Sequence, residues 1–202
     1  SPAAAVKALT TRLEGSLETD DLLADERLHD GEADDLDSND LEPPAQLEEA
    51  SRLQGLIQEA ERLSGKAGDP KLAALIRHVD ALLKDGYHPV VFCRYIATAH
   101  YVAEHLRKAF PKATIESITG EFTPEERRER VEAMEEGEPR ILVATDCLSE
   151  GINLQHLFTA VVHYDLAWNP TRHEQREGRV DRFGQQAAEV RCTMLWGQDN
   201  PV

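Results

Sequence analysis

Two arginines and a glutamine near the end of the chain have the residue types and spacing that suit phosphate chemistry. Gln175, Gly178, Arg179 and Arg182 follow the pattern Gln-x-x-Gly-Arg-x-x-Arg, within a helix predicted for residues 171–183. Arginines three residues apart share one helix face. Each guanidinium offers a planar fork of donors and keeps its charge, so two aimed at one spot suit a polyphosphate. The glycine before them fits a ligand that passes close to the backbone.

A second interpretation of these arginines stays open at this point. Glu174, Glu177 and Asp181 lie among them and offer partners for ion pairs. Most charged helix faces are solvated surfaces laced with such pairs. The choice between a phosphate site and a solvated helix therefore depends on the other motifs of the chain.

Composition and charge limit the class of protein. The chain has 202 residues, 41% of them hydrophobic, which is enough for the core of an ordinary globular domain. Its net charge is −16, and residues 1–64 hold 17 acidic and only 5 basic side chains. The remaining residues hold 21 acidic and 17 basic side chains. An acidic total argues against a free-standing nucleic-acid binder, but the nearly balanced second part leaves room for a local basic surface.

Several sites and segments are not expected. No apolar run approaches the roughly 20 residues of a membrane helix, so no membrane contact is predicted. The three cysteines fit neither zinc nor disulfide spacing and suggest reduced thiols in a cytoplasmic protein; they are Cys93, Cys147 and Cys192. The eight histidines form no ligand set, so no metal site is predicted. A chain that begins at Ser1 fits an excised piece of a longer protein.

Helices and strands alternate along the second part of the chain. Helices are predicted for residues 45–63, 72 to about 86, 97–109 and 171–183, and a capping box at Thr123–Glu126 opens one more. Strands are predicted at Val90–Cys93, Ala113–Ile118, Arg140–Thr145, Ala160–Tyr164 and Val190–Trp196. This order predicts a three-layer α/β domain over residues 65–202, with a mostly parallel sheet and ligands beyond the carboxyl ends of its strands. Residues 1–64 are predicted to form an acidic, partly helical or flexible extension.

Four segments at that predicted edge follow one another in a fixed order: Val90–Tyr95, Ile118–Gly120 with Arg127, Ala144–Gln155, and Asp165–Pro170 leading into Gln175–Gln185. Their order and spacing resemble the second RecA-like lobe of superfamily 2 helicases. Asn169-Pro170, Asn153-Leu154 and Arg182-Phe183-Gly184-Gln185 resemble the Swi/Snf-related DNA translocases in particular. Ser149-Glu150-Gly151 is similar to the bacterial branch that contains the RNA-polymerase-recycling ATPase.

The resemblance implies that this chain is half of an ATPase. In the family ATP lies between two lobes, and the first lobe carries the phosphate loop and the acidic magnesium box. Neither motif is present here: Ser64-Gly65-Lys66-Ala67 lacks both the first glycine and the final hydroxyl of a phosphate loop, and Asp25-Glu26-Arg27-Leu28 does not complete an Asp-Glu-x-His box. The expected ligand is therefore ATP, with Mg²⁺ held mainly by the first lobe, and the isolated chain is expected to be inactive.

The resemblance also assigns roles to individual residues. Arg179 and Arg182 match arginine fingers that reach the transferred phosphate, with Gln175 in support. Positions that sense or approach the nucleotide are Asp146, Glu150, Gly151 and Gly178. Positions that contact the nucleic-acid backbone are Arg94, Thr119, Gly120, Thr145, Trp168 and Asn169. Each has an ordinary structural alternative, such as a strand-ending turn at Thr145 and Asp146 or a packed aromatic at Trp168.

The sequence therefore predicts the C-terminal motor lobe of an ATP-dependent double-stranded DNA translocase in the bacterial cytoplasm, associated with the nucleoid. Expected partners are the first lobe of the same protein and double-stranded DNA, with RNA polymerase or another protein complex as a further candidate. One rival is an RNA helicase lobe, and another is a non-catalytic binding module with the same fold. The acidic segment from Glu18 to Glu49 is interpreted either as a linker or as a DNA-mimicking brake.

Overall fold

The computed structural model describes residues 1–15, 47–149, 152–167 and 169–197. Nearly all of the acidic segment between Glu18 and Glu49 lies outside these residues. The chain divides into two compact units, Ser1–Asp69 and Pro70–Val202. The boundary thus follows Asp69, whereas the sequence placed it after residue 64. Within the described residues, no helix combines the length and the apolar character that crossing a membrane requires.

Two helices pack together in the first unit. Helix α1 spans Pro2–Gly15 and helix α2 spans Leu47–Arg62. The sequence predicted α2 from its apolar spacing, and Leu53 and Ala60 are indeed buried. It did not predict α1, whose alanine run gives little amphipathic contrast. The high helix propensity of alanine is the signal that would have found this helix.

The second unit alternates helices and strands as predicted. Its elements in chain order are α3 (Pro70–Lys84), β1 (Pro89–Phe92), α4 (Ile96–Ala109), β2 (Thr114–Ile118), α5 (Pro124–Glu132), a 3₁₀ turn (Ala133–Glu136), β3 (Arg140–Ala144), a second 3₁₀ turn (Asp146–Ser149), β4 (Ala160–His163), α6 (Pro170–Glu177) and β5 (Arg191–Met194). All strand pairs are parallel, in the order β2-β3-β1-β4-β5. The predicted parallel α/β sheet is therefore confirmed.

The register of the central strands fixes which residues meet at one edge. Strands β1, β3 and β4 are buried along their whole length, as expected for apolar strands covered on both faces. Phe92, the last residue of β1, pairs with Ala144 of β3 and His163 of β4. Ala144 also pairs with Ile118, the last residue of β2. The segments that follow these four residues therefore start side by side at the carboxyl edge of the sheet.

Helix α5 begins at the predicted capping box. The Thr123 hydroxyl accepts a hydrogen bond of 3.3 Å from the Glu126 backbone N–H. The Glu126 carboxylate accepts one of 2.8 Å from the Thr123 N–H. That bond lowers the pKa of Glu126 below its ordinary value. Pro124 occupies the first turn, so this prediction is confirmed in detail.

The helix predicted for residues 171–183 is shorter in the structure. Helix α6 ends at Glu177, and the Arg179 N–H bonds to the carbonyl of Arg176, three residues back, at 3.2 Å. The chain then continues in single turns through residue 180. Because Arg179 and Arg182 lie after the helix, the prediction that they share one helix face is wrong. Gly178 immediately follows the last helical residue and is a poor helix former.

Candidate functional site

Arg176 is the most completely bonded cation at the carboxyl edge of the sheet. Its side chain is only 4% exposed. Its Nε and one Nη donate to the two carboxylate oxygens of Asp146 at 2.6 and 2.8 Å. Its other Nη donates to the Asp165 carbonyl at 3.0 Å, and its guanidinium lies 5.5 Å from the ring centre of Phe92. A bidentate pair of this kind fixes the last turn of α6 against the end of β3.

Sequence reasoning assigned Asp146 to the nucleotide and overlooked Arg176. The structure shows that both carboxylate oxygens of Asp146 already accept hydrogen bonds from Arg176. Arg172 Nη1 lies 3.6 Å from one of these oxygens, Asp146 Oδ2. The signal for Arg176 was present, because it lies inside the recognised motif on a short helix. Its partner is 30 residues away in sequence, so no local pattern could identify the pair.

Asp165 joins three elements at the same edge. One carboxylate oxygen accepts a hydrogen bond from the Lys71 ammonium of α3 at 3.0 Å. The other accepts from the Arg94 backbone N–H at 3.0 Å, just beyond β1. The Lys71 ammonium also lies 4.4 Å from the ring centre of Tyr164. The position of Arg94, a predicted backbone-contacting residue, is therefore set by the end of β4.

A buried histidine ties the end of α6 to β4. His163 has no exposed surface, and its Nε2 lies 3.1 Å from a Glu177 carboxylate oxygen. Its ring centre is 4.8 Å from that of His173, whose Nε2 accepts a hydrogen bond from the Ala167 N–H. Burial lowers the pKa of His163 below its ordinary value of 6.5, while the hydrogen bond that its ring donates to Glu177 acts in the opposite direction. The last turn of α6 is thus held at two points, by Arg176 and by Glu177.

The turn after α6 presents the two predicted arginine fingers on a fixed backbone. Val180 is fully buried between them, and Gln185 Nε2 donates to the carbonyls of Val180 and Phe158 at 3.0 and 3.1 Å. Arg179 is partly exposed and Arg182 is exposed. Within the described ranges, neither guanidinium has a hydrogen-bond or ion-pair partner.

The interpretation of these arginines as members of surface ion pairs is therefore not what the described part of the chain shows. Glu177 bonds to His163 instead. The predicted supporting residue Gln175 is exposed on α6. A Cβ added at Gly178 would lie 3.2 Å from the Glu174 carbonyl, so local crowding also favours glycine there. Two guanidiniums with no internal partner among the described residues, one partly exposed and one exposed, fit an anionic ligand such as a polyphosphate.

The predicted nucleic-acid contacts fall into two groups. Thr119 and Thr145 have no exposed surface and Gly120 is also buried, so these three lie beneath the surface of the edge. Asn169 is exposed and caps α6, because its side-chain oxygen accepts a hydrogen bond of 3.0 Å from the Thr171 N–H. The remaining predicted site residues, Trp168, Glu150 and Gly151, lie outside the described residues.

The other titratable groups of the region offer little chemistry of their own. Burial raises the pKa of the Cys93 thiol well above its ordinary value. A neutral buried thiol is a poor nucleophile. Among the described residues, no group of three or more His, Cys, Asp or Glu side chains is placed so that it could hold a metal ion. The Mg²⁺ expected with a nucleotide thus has no ready-made ligand set among these residues.

Comparison with known sequences shows a family match and partial relatives. The profile of the helicase conserved C-terminal domain matches residues 70–184. Eukaryotic initiation factor 4A of Dictyostelium discoideum is 32% identical over 101 residues, 50% of this chain and 24% of that protein. ATP-dependent RNA helicase FAL1 of Meyerozyma guilliermondii is 29% identical over 110 residues, 54% of this chain and 26% of that protein. The chain thus spans about a quarter of the length of these curated relatives.

Solved structures of two kinds share the fold. Domain 2 of the DEAD-box helicase Mss116p, bound to an RNA duplex, has a TM-score of 0.54 at 20% identity, over 62% of this chain and 50% of that one. The Sulfolobus solfataricus SWI2/SNF2 ATPase core in complex with dsDNA has a TM-score of 0.56 at 15% identity, over 96% of this chain and 38% of that one. Because the profile of the helicase conserved C-terminal domain covers more than half of the chain, the protein belongs to that family.

Proposed function

We propose that this chain is the C-terminal motor lobe of an ATP-dependent double-stranded DNA translocase, and that Arg179 and Arg182 are its arginine fingers. The observation that carries the proposal is the contrast in bonding within one motif. Arg176 is buried and saturated, whereas the two following arginines have no side-chain partner among the described residues. Donors left open on an anchored turn are suited to a phosphate supplied from outside the chain.

In this mechanism the lobe stabilises charge and leaves most of nucleotide binding to a first lobe. Arg179 and Arg182 lie on a turn that Val180 and Gln185 hold in place, so little reorganisation is needed when charge develops on the transferred phosphate. Gln175 supports that site from the exposed face of α6. Mg²⁺, held mainly by the first lobe, neutralises phosphate charge when it is bound.

A series of hydrogen bonds that starts at Arg176 links the segment carrying the two arginine fingers to the predicted nucleic-acid contacts. Arg176 joins α6 to Asp146 and to the Asp165 carbonyl, and the Asp165 carboxylate holds the Arg94 N–H. A shift of α6 would therefore move groups at the ends of β1, β3 and β4 together. In our proposal this connection couples the nucleotide to the DNA track.

Double-stranded DNA is the proposed track because of particular residues. Asn169-Pro170 and Phe183-Gly184-Gln185 have the Swi/Snf-related form, and Gln185 anchors the finger turn. The fold of the dsDNA-bound SWI2/SNF2 core extends over 96% of this chain, whereas the RNA-bound helicase domain covers 62%. RNA polymerase as the object that the motor displaces is a further proposal, supported only by the motif resemblance.

A second candidate, an RNA helicase lobe, is favoured by a different observation. The matched sequence relatives include eukaryotic initiation factor 4A and an ATP-dependent RNA helicase. These relatives are about 30% identical to the chain over half of its length. The two solved structures are only 20% and 15% identical to it. Both candidates use the same finger site, so they differ only in the nucleic acid that stimulates turnover.

The test is nucleic-acid-stimulated ATP hydrolysis by the complete protein that contains this chain. Duplex DNA should raise the turnover rate, and a triplex-forming strand placed in the path should be displaced. Stimulation by RNA with none by duplex DNA would replace the proposal with the RNA candidate. Residues 1–202 alone should show no measurable hydrolysis with any nucleic acid, and DNA-stimulated turnover by this piece would contradict the two-lobe mechanism.

A further inference from the structure

A buried hydroxyl at the carboxyl end of β2 is covered by a carboxylate. Thr119 has no exposed surface, and its hydroxyl donates a hydrogen bond of 2.8 Å to Glu121 Oε2. The same oxygen lies 2.6 Å from His100 Nε2 in α4. A carboxylate only accepts hydrogen bonds, so this His100 nitrogen carries the proton. Two donors from two separate elements thus converge on one anionic oxygen.

Neighbouring hydrogen bonds hold the loop that carries Thr119 and Glu121. Arg127 of α5 donates to the carbonyl of Gly120 at 3.1 Å and to that of Cys147 at 2.9 Å. These bonds hold the loop after β2 against the turn after β3. On the other side, Ser117 Oγ lies 3.5 Å from His100 Nδ1. Bonds that do not involve the Glu121 side chain thus hold the elements that carry both donors.

We propose that Thr119 and His100 form a binding site for a backbone phosphate, and that Glu121 is its internal occupant, which a nucleic acid displaces. A phosphodiester oxygen and a carboxylate oxygen are both anionic acceptors of the same two donors. The Glu121 and His100 side chains are about half exposed, at 52% and 48%, so Glu121 can swing into solvent. The proposal rests on the proposed function only in requiring that the lobe bind nucleic acid.

Glu121 weakens nucleic-acid binding in two ways. It competes for the Thr119 hydroxyl, and its charge repels any phosphate that approaches. Glu121→Gln removes the charge and keeps the shape of the side chain. With unit charges about 4 Å apart at the surface, the expected gain in duplex affinity is about fivefold at low salt, shrinking as salt is added.

The experiment measures anisotropy of labelled DNA and RNA duplexes of mixed sequence, titrated with the 202-residue chain. The matched control is Glu125→Gln, which removes one exposed carboxylate four residues away, in the first turn of α5. Glu121→Gln should bind about five times more tightly than Glu125→Gln. The gain should be equal for DNA and RNA, because a phosphate contact reads no base.

Two double variants test the donors. Adding Thr119→Val to Glu121→Gln should abolish the gain, since valine keeps the shape and lacks the hydroxyl. Adding His100→Ala should reduce it, and this half-exposed site provides the test if Thr119→Val does not fold. If the duplexes bind the Glu121→Gln variant and bind neither the unmodified chain nor Glu125→Gln, that result also supports the proposal.

Equal effects of Glu121→Gln and Glu125→Gln, or a gain that survives both double variants, overturn the internal-occupant proposal alone. Failure of every variant to bind either duplex contradicts nucleic-acid binding by this lobe, and with it the proposed function. The two failures are therefore distinguishable in one set of titrations.

Discussion

Helix α6 and the turn that follows it place arginine side chains in opposite environments. Arg176, on the helix, is 4% exposed and its guanidinium bonds to Asp146 and to a backbone carbonyl. Arg182, six residues later, is exposed and has no side-chain partner in the part of the chain that the structure describes. Arg176 thus forms bonds that hold the fold together, whereas the guanidinium of Arg182 remains open to solvent.

The physical reason for the difference is the cost of burying a charge. A buried guanidinium is tolerated only when an anion and further hydrogen bonds replace its water, which Asp146 and Asp165 provide for Arg176. In the turn, the backbone is anchored by Val180 and Gln185 instead, so the arginines need no internal partner. Rigidity and availability can therefore coexist within a few residues.

The largest expected effect comes from removing an available arginine. Arg182→Ala or Arg179→Ala in the complete protein should lower the maximal ATP turnover by a factor of about 10³. The free energy of unfolding should change by less than about 0.5 kcal/mol, as for ordinary surface positions. Arg128→Ala, at an exposed arginine of α5, is the matched control and should leave turnover near the starting value.

Removing the bonded arginine should reverse that pattern. Arg176→Ala should lower the free energy of unfolding by about 3 kcal/mol, because it leaves the Asp146 carboxylate without its main partner. Asp146 is 30% exposed, so water relieves part of the loss and the low end of the range applies. Denaturant unfolding of Arg176→Ala beside Arg182→Ala measures the contrast, and equal losses would abolish the distinction between the two regions.

The anchor of the turn should have an intermediate effect. Gln185→Ala removes donors to the carbonyls of Phe158 and Val180 and should cost about 1.5 kcal/mol in the free energy of unfolding. Turnover should also fall, because the arginines lose a fixed backbone. The neighbouring exposed Gln186→Ala is the control of the same residue type. If both variants behave alike, Gln185 does not hold the turn.

The smallest expected effect is a pH dependence of the free energy of unfolding, which arises from His163, the partner of Glu177 in helix α6. Burial lowers the pKa of His163 below 6.5, so the unfolded chain binds more protons than the folded one as the pH falls through that value. Stability should therefore be full above about pH 7 and decline towards pH 5. Burial also lowers the pKa of His78 and of His88, which add to the slope. His163→Asn should flatten this decline, and an unchanged slope would exclude His163 as a contributor.

The sequence predicted the sheet well, because buried apolar strands and the capping box at Thr123 are local signals. It predicted the end of α6 incorrectly, and the turn after that end is bonded through Gln185 to Phe158, which lies 27 residues earlier. It also overlooked Arg176, because its partner Asp146 is 30 residues away. Residue types indicated a candidate site, while the different environments of its arginines depend on tertiary contacts.

The most direct test of the account compares two ligands of the complete protein, ADP alone and ADP with aluminium fluoride, a mimic of the transferred phosphate. In the Arg182→Ala variant the affinity for ADP should stay within about twofold, while the affinity for the mimic should fall by about 100-fold or more. That result would show that Arg182 acts on charge that develops during transfer. An equal loss for both ligands would make it an ordinary ground-state contact, and no loss for either would place it outside the nucleotide site.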